Sequence, residues 1–143
     1  MAESELRPFH LAIPVDDLAV CRRFYGELMG CPEGRSAARW VDFDFWGHQV
    51  VIHEVDDHPG MAGRNGVDGE SVPVPHFGVV LTMDAWGQLR DRLVAAGVRF
   101  EIEPTVRFAG EVGEQATMFF LDPAGNALEF KAMADPSGLF AKG

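Results

Sequence analysis

The chain has 143 residues, 47% of them hydrophobic, with 12 Lys and Arg against 22 Asp and Glu. That length supports one well-buried core and is short for two ordinary independent domains. The formal charge of −10 repels phosphate backbones and anionic surfaces, which argues against nucleic acid and membrane partners.

No apolar run reaches the ~18 residues of a membrane helix. The N-terminal "MAESELRPFH" has neither the basic nor the apolar stretch of a signal peptide, so a cytoplasmic location is expected. Cys21 and Cys31 are too few for a disulfide framework or a zinc–thiolate site and read as reduced thiols.

"FHLAIPV" (9–15) is a short apolar run rich in branched residues and predicts a strand. "DDLAVCRRFYGELMG" (16–30) then places Leu18, Cys21, Phe24, Tyr25, Leu28 and Met29 at helical spacing, with Asp16 or Asp17 as cap and Gly30 as stop. "ARWVDFDFWG" and "HQVVIHEV" alternate about Gly47 and predict a hairpin. The segment 56–75 reads as a linker first and a lid second. "HFGVVLT" (76–82) opens a second round with a strand. In "MDAWGQLRDRLVAAG" (83–97), Trp86, Leu89, Leu93 and Ala96 form a helical stripe that Gly97 ends. "VRFEIEP" and "QATMFFLDPAGNALEFKAM" supply the last strands, with Asp-Pro-Ala-Gly-Asn as a turn.

One supersecondary unit is thus used twice: module one spans 8–55, module two 76–133, and 134–143 is a tail, all within one domain. The duplication lets equivalent positions be compared. His10 starts the first strand of one half and His76 that of the other. Counting four from each turn glycine takes Gly47 to Val51 and Gly125 to Glu129. Strand alternation sets Glu129 among Ala127 and Lys131 on one face, so a carboxylate enters an otherwise apolar strand and must be solvated, paired or metal-bound. It could pair with Lys131 or Arg107. Two imidazoles and one carboxylate on separate strands are also what a facial triad needs, with open positions left for substrate or oxygen.

"FHLAIPVDDLAVCRRFYGELMGC", "PHFGVVLTMDAWGQLRDRLVAAGV" and "FFLDPAGNALEF" together resemble the vicinal oxygen chelate superfamily, over roughly 8–133. That superfamily includes glyoxalase I, bleomycin-resistance proteins, fosfomycin-resistance enzymes and extradiol dioxygenases; within it the chain is most similar to small predicted dioxygenases of the extradiol type. The resemblance implies an α+β fold in which two βαβββ modules form a curved mixed sheet around a metal cup, usually as a homodimer. It implies a divalent metal on His10, His76 and Glu129, with Fe(II) favoured and Mn(II), Ni(II) or Zn(II) as alternatives. Glyoxalase I takes a fourth ligand from the strand position that Val51 holds here. Bleomycin-resistance proteins bind their drug without a catalytic metal.

The implied reaction is oxidative cleavage of a small catechol-like aromatic. The alternatives are a glyoxalase-like lyase or isomerase, a thiol transferase, and a drug- or metabolite-binding protein without turnover. The tyrosine of better-known extradiol enzymes corresponds to Phe119. On the strand faces, His53, Gln115 and Lys131 are the candidates for catalytic roles, and Thr117, Phe119 and Phe45 for substrate contact. His48 and His58 read as exposed, and Tyr25 as core.

Overall fold

Alternating apolar residues set the first strand, β1 (His10–Val15), which buries Ile13 and Val15 and leaves His10 exposed. The computed structural model describes residues 6–58, 63–67 and 70–142, with no account of the side chains of 63–67 and 70. The chain divides into two compact units, Met1–Pro59 and Gly60–Gly143. Both are α+β, and no described helix is long and apolar enough to cross a membrane.

In the first unit, β1 is followed by α1 (Leu18–Arg23), which continues as a wider π turn over Phe24–Leu28. Asp17 caps α1, its carboxylate accepting the Val20 N–H at 3.2 Å. Glu54 accepts the Leu18 N–H at 3.0 Å, tying the helix start to the far strand. Leu18, Cys21, Phe24 and Tyr25 face inward, and the Tyr25 ring lies 5.7 Å from that of Phe43. Gly30 ends the helical segment with φ +84°.

Strands β2 (Glu33–Ala37), β3 (Trp40–Phe45) and β4 (His48–Glu54) complete a sheet ordered β1-β4-β3-β2, with β1 and β4 parallel. The β3–β4 turn holds both Trp46 and Gly47 at positive φ, as a two-residue turn matched to strand twist requires.

The second unit begins where a linker was expected. Residues 63–67 and 70–74 instead pair as the antiparallel strands β5 (Gly63–Val67) and β6 (Glu70–Val74). In β6, Val72, 3% exposed, packs against Phe119 and Ala127. The main sheet follows: β7 (His76–Phe77), β8 (Val80–Leu81), β9 (Phe100–Arg107), β10 (Gln115–Leu121) and β11 (Ala127–Met133). β11 is central, parallel to β7 and β8 and antiparallel to β10, and β9 is the rim strand. Between β7 and β8, Gly78 lies so close to β11 that a Cβ there would collide with the Glu129 carbonyl.

Between β8 and β9 runs α2 (Met83–Ala95), capped by Thr82, which accepts the Ala85 N–H at 3.1 Å. Trp86, Leu89 and Leu93 are buried as predicted, and the Trp86 indole donates to the Phe130 carbonyl at 3.0 Å. Ala96, expected on that stripe, is exposed because the helix has already ended.

The β10–β11 turn is built on Asp122, 4% exposed, whose Oδ1 accepts the Ala124 and Asn126 N–H groups, each at 2.9 Å. Gly125 supplies the positive φ of +90° that the turn demands. This fixes the register that sets Phe119 opposite Glu129.

Candidate functional site

The ladders show that the two units repeat one arrangement. On parallel neighbours, His10 pairs with Gln49 and His76 with Ala127. Two residues further on, one pleat repeat away on the same face, stand Val51 and Glu129. Val51 is therefore the counterpart of Glu129 in register as well as in sequence, and the first unit has a buried aliphatic where the second has a carboxylate.

In the second unit His76 and Glu129 meet. The ring Nδ1 lies 2.7 Å from the Pro73 carbonyl, which can only accept, so Nδ1 donates and a neutral ring carries its lone pair on Nε2. That Nε2 lies 3.3 Å from Glu129 Oε1. Two lone pairs facing each other at this distance repel unless a proton or a cation lies between them. The other carboxylate oxygen accepts from the Thr117 hydroxyl at 2.7 Å, which fixes the orientation of Glu129. The Phe119 ring stands edge-on to the imidazole, with centroids 4.8 Å apart, and excludes water from one side. Glu129's partners are thus Thr117 and His76 rather than Lys131 or Arg107.

His10, in the first unit, is oriented by the same logic with different parts. Its Nδ1 is 2.7 Å from Gln49 Oε1, and Gln49 Nε2 donates to Asp42 at 3.1 Å. Because the carboxylate claims the amide nitrogen, the amide oxygen faces the ring; Nδ1 must donate, and Nε2 again presents its lone pair. Both histidines therefore have the tautomer and the outer support of metal-ligating imidazoles. His76 Nε2 and Glu129 Oε1, a borderline nitrogen and a hard oxygen in the second unit, are donor types that a divalent cation takes. Among the described residues, no three His, Cys, Asp or Glu side chains gather in one place.

A cavity of about 410 Å³ opens on the same face of the second sheet. His76, Glu129, Phe119 and Thr117 form one part of its lining, and Val72 from β6 walls it. Gln115, Lys131 and Arg107 line the rest. Gln115, Thr117, Phe119 and Lys131, read from the sequence as site residues, are brought together here.

Two others are placed elsewhere. Phe45, expected to touch substrate, is 2% exposed in the core of the first unit. In β3 the odd-numbered Val41, Phe43 and Phe45 face inward, while Trp40, Asp42 and Asp44 share the face of His10. His53 is exposed on the His10 face with its ring 6.4 Å from Trp40. His48, expected to be inert, accepts the Phe9 N–H at 2.8 Å and so holds the entry to β1.

Sequence reading missed Gln49, Asp42 and Pro73, which orient the imidazoles, and Arg107. The signal for Arg107 was Pro104. A proline inside a strand marks a rim or a bulge, and here Glu103 and Pro104 together oppose Met118, since Thr105 pairs with Thr117 and Ile102 with Phe119. The extra residue lets Ile102 share one cavity with Thr105 and Arg107.

Comparison with known proteins agrees with this geometry. The family model described as Glyoxalase/Bleomycin resistance protein/Dioxygenase superfamily matches residues 7–130. No curated protein sequence matches the chain significantly. Among solved structures, a glyoxalase/bleomycin resistance protein/dioxygenase from Alicyclobacillus acidocaldarius is similar at 31% identity and TM-score 0.72, over 93% of this chain and 96% of its own. A genomically encoded fosfomycin resistance protein, FosX, from Listeria monocytogenes shares the fold at 20% identity and TM-score 0.64, over 92% of this chain and 94% of its own. A glyoxalase family protein from Bacillus anthracis does so at 18% identity and TM-score 0.63, over 93% and 99%.

Proposed function

The chain belongs to the glyoxalase/bleomycin resistance protein/dioxygenase superfamily, and on that footing we propose that it is a metal-dependent enzyme acting on two adjacent oxygens of a small substrate. His76 and Glu129 hold the ion, and His10, of the same chain or of a second copy in a homodimer, completes the set. The observation that carries this reading is the His76–Glu129 pair: an imidazole Nε2 and a carboxylate oxygen 3.3 Å apart, with both partners oriented from behind.

A divalent cation bound there supplies Lewis-acid polarisation and lowers the pKa of a hydroxyl that it chelates. The chain's own groups do the rest. Pro73 and Gln49 keep the imidazoles in the ligating tautomer, and Thr117 keeps Glu129 from rotating away. Phe119 and Val72 keep water from the inner cavity, and Lys131 offers an ammonium from which a leaving or opened oxygen takes a proton.

With Fe(II) as the ion, the reaction we favour is extradiol-type oxidation of a small catechol-like aromatic. One observation favours a second reading, a non-redox lyase, isomerase or thiol transfer with Mn(II), Ni(II) or Zn(II). Phe119, directly opposite Glu129, cannot accept or donate the proton that ring opening exchanges.

Anaerobic reconstitution separates the two. Fe(II) with a panel of catechols should consume oxygen under the first reading, whereas Mn(II) or Ni(II) should support turnover without oxygen under the second. A protein that only binds would do neither. Metal content should fall in His10→Ala, His76→Ala and Glu129→Ala; unchanged loading in all three would remove the site assignment.

A further inference from the structure

The cavity that holds His76 and Glu129 carries charge of the opposite sign at its other end. On β11, Lys131 lies one pleat repeat, about 7 Å, beyond Glu129 on the same face. Arg107 on β9 pairs with Gln115 on β10, so it lies two strand spacings from β11, about 10 Å. Lys131, Gln115 and Arg107 all line the one cavity. Neither cation has a carboxylate partner among the described residues. Arg107 instead lies over the Phe108 ring, 5.5 Å from its centroid, which restrains the side chain and leaves its N–H groups free.

Two unpaired cations in one cavity are notable in a chain of net charge −10, where carboxylates outnumber Lys and Arg 22 to 12. Arg22 is paired with Glu33, Arg39 with Asp56 and Arg90 with Asp91, whereas Arg107 and Lys131 share one cavity without such a partner among the described residues. Arg107 faces the cavity through its register with Gln115, and the extra residue at Glu103–Pro104 lets Ile102 share that face.

We propose that Arg107 and Lys131, with the Gln115 amide between them, clamp an oxyanion on the substrate, a carboxylate or phosphonate lying apart from the two oxygens that bind the metal. This rests on the chelate reading above only for the placement of those two oxygens. The clamp makes the preferred substrate an acidic one and sets its orientation. Arg107 supplies a planar fork suited to two oxygens, and Lys131 a point charge.

The test compares ligands that differ only in the anion. Catechol, 3,4-dihydroxybenzoate and 3,4-dihydroxyphenylphosphonate are titrated calorimetrically into the Mn(II)-loaded protein, and benzoate and phenylphosphonate into the metal-free protein. At least one acidic diol should bind roughly tenfold more tightly than catechol, the scale of a charge-assisted contact. Arg107→Gln and Lys131→Gln should each remove most of that gap, and Arg107→Gln should leave catechol affinity unchanged. Whichever acid binds more tightly identifies the oxyanion.

Equal affinity for charged and uncharged diols, or a gap that survives both substitutions, would overturn the clamp and leave the chelate standing. Binding of benzoate or phenylphosphonate to the metal-free protein that depends on Arg107, with no diol bound to the loaded protein, would uphold the clamp and overturn the chelate.

Discussion

The two units place the same strands in the same register and put them to different use. Next to each leading histidine is a parallel strand, and two residues along it stands Val51 in one unit and Glu129 in the other. The support behind the imidazole differs too: a Gln49–Asp42 chain in the first, the Pro73 carbonyl in the second. A third contrast lies in the strand that carries the histidine. β1 runs unbroken through Ala12, whereas its counterpart breaks at Gly78, pressed against the Glu129 backbone. A duplicated scaffold can therefore keep its geometry while only one copy carries a carboxylate.

The largest expected effect comes from exchanging those small residues. Gly78→Ala forces a methyl into the Glu129 carbonyl and should cost about 3 kcal/mol or more, a large part of a small domain's stability. Ala12→Gly should cost only about 0.5–1 kcal/mol. Comparable losses in denaturant melts would break the contrast.

Next, Val51→Glu installs the missing carboxylate at a buried position and should destabilise the metal-free protein by about 3 kcal/mol. If the two positions are chemically equivalent, Mn(II) should restore much of the melting temperature. A loss that Mn(II) leaves untouched would mean that equivalence of register is not equivalence of function.

Removing the outer supports should matter less. Gln49→Ala and Thr117→Val should each weaken metal binding about 10- to 100-fold without unfolding the chain, as read by competition with a chelator. The smallest effect belongs to the Arg22–Glu33 pair, which joins α1 to β2 by two contacts of 2.6 and 2.7 Å. The guanidinium beside Glu33 holds that carboxyl below its ordinary range. The pair's contribution is therefore present above the unfolded carboxyl's pKa and fades as pH falls through the lower folded value. Arg22→Gln should therefore lower stability slightly at neutral pH and leave the strongly acid end of a stability–pH curve, where Glu33 is protonated in both states, unchanged.

What could be read in advance followed from local rules. The cap at Asp16 or Asp17, the stop glycines and the Asp-Pro-Ala-Gly-Asn turn are short-range chemistry, and together they mark the helix ends and the Glu129 register. His10, His76 and Glu129 stood out because an internal repeat makes odd positions visible. The sequence of 63–74 was opaque because glycine and charge dominate it, so strands held by cross-strand bonds and the buried Val72 read as linker. Gln49 reaches His10 across 39 positions of chain, a pairing that only the ladder defines. Phe45 was misplaced because alternation in β3 separates two faces without saying which is wet.

The irregularity in β9 has an evolutionary corollary. Glu129 lies on the central strand β11, whereas Arg107 rides on β9, whose outer edge has no neighbour among the described strands of its sheet. Loss of one codon near Glu103–Pro104 can be absorbed by straightening the bulge, which leaves Arg107 opposite Gln115 and Ile102 opposite Phe119. The margin of this sheet can thus take up a change in chain length while the strands behind it keep their pairing.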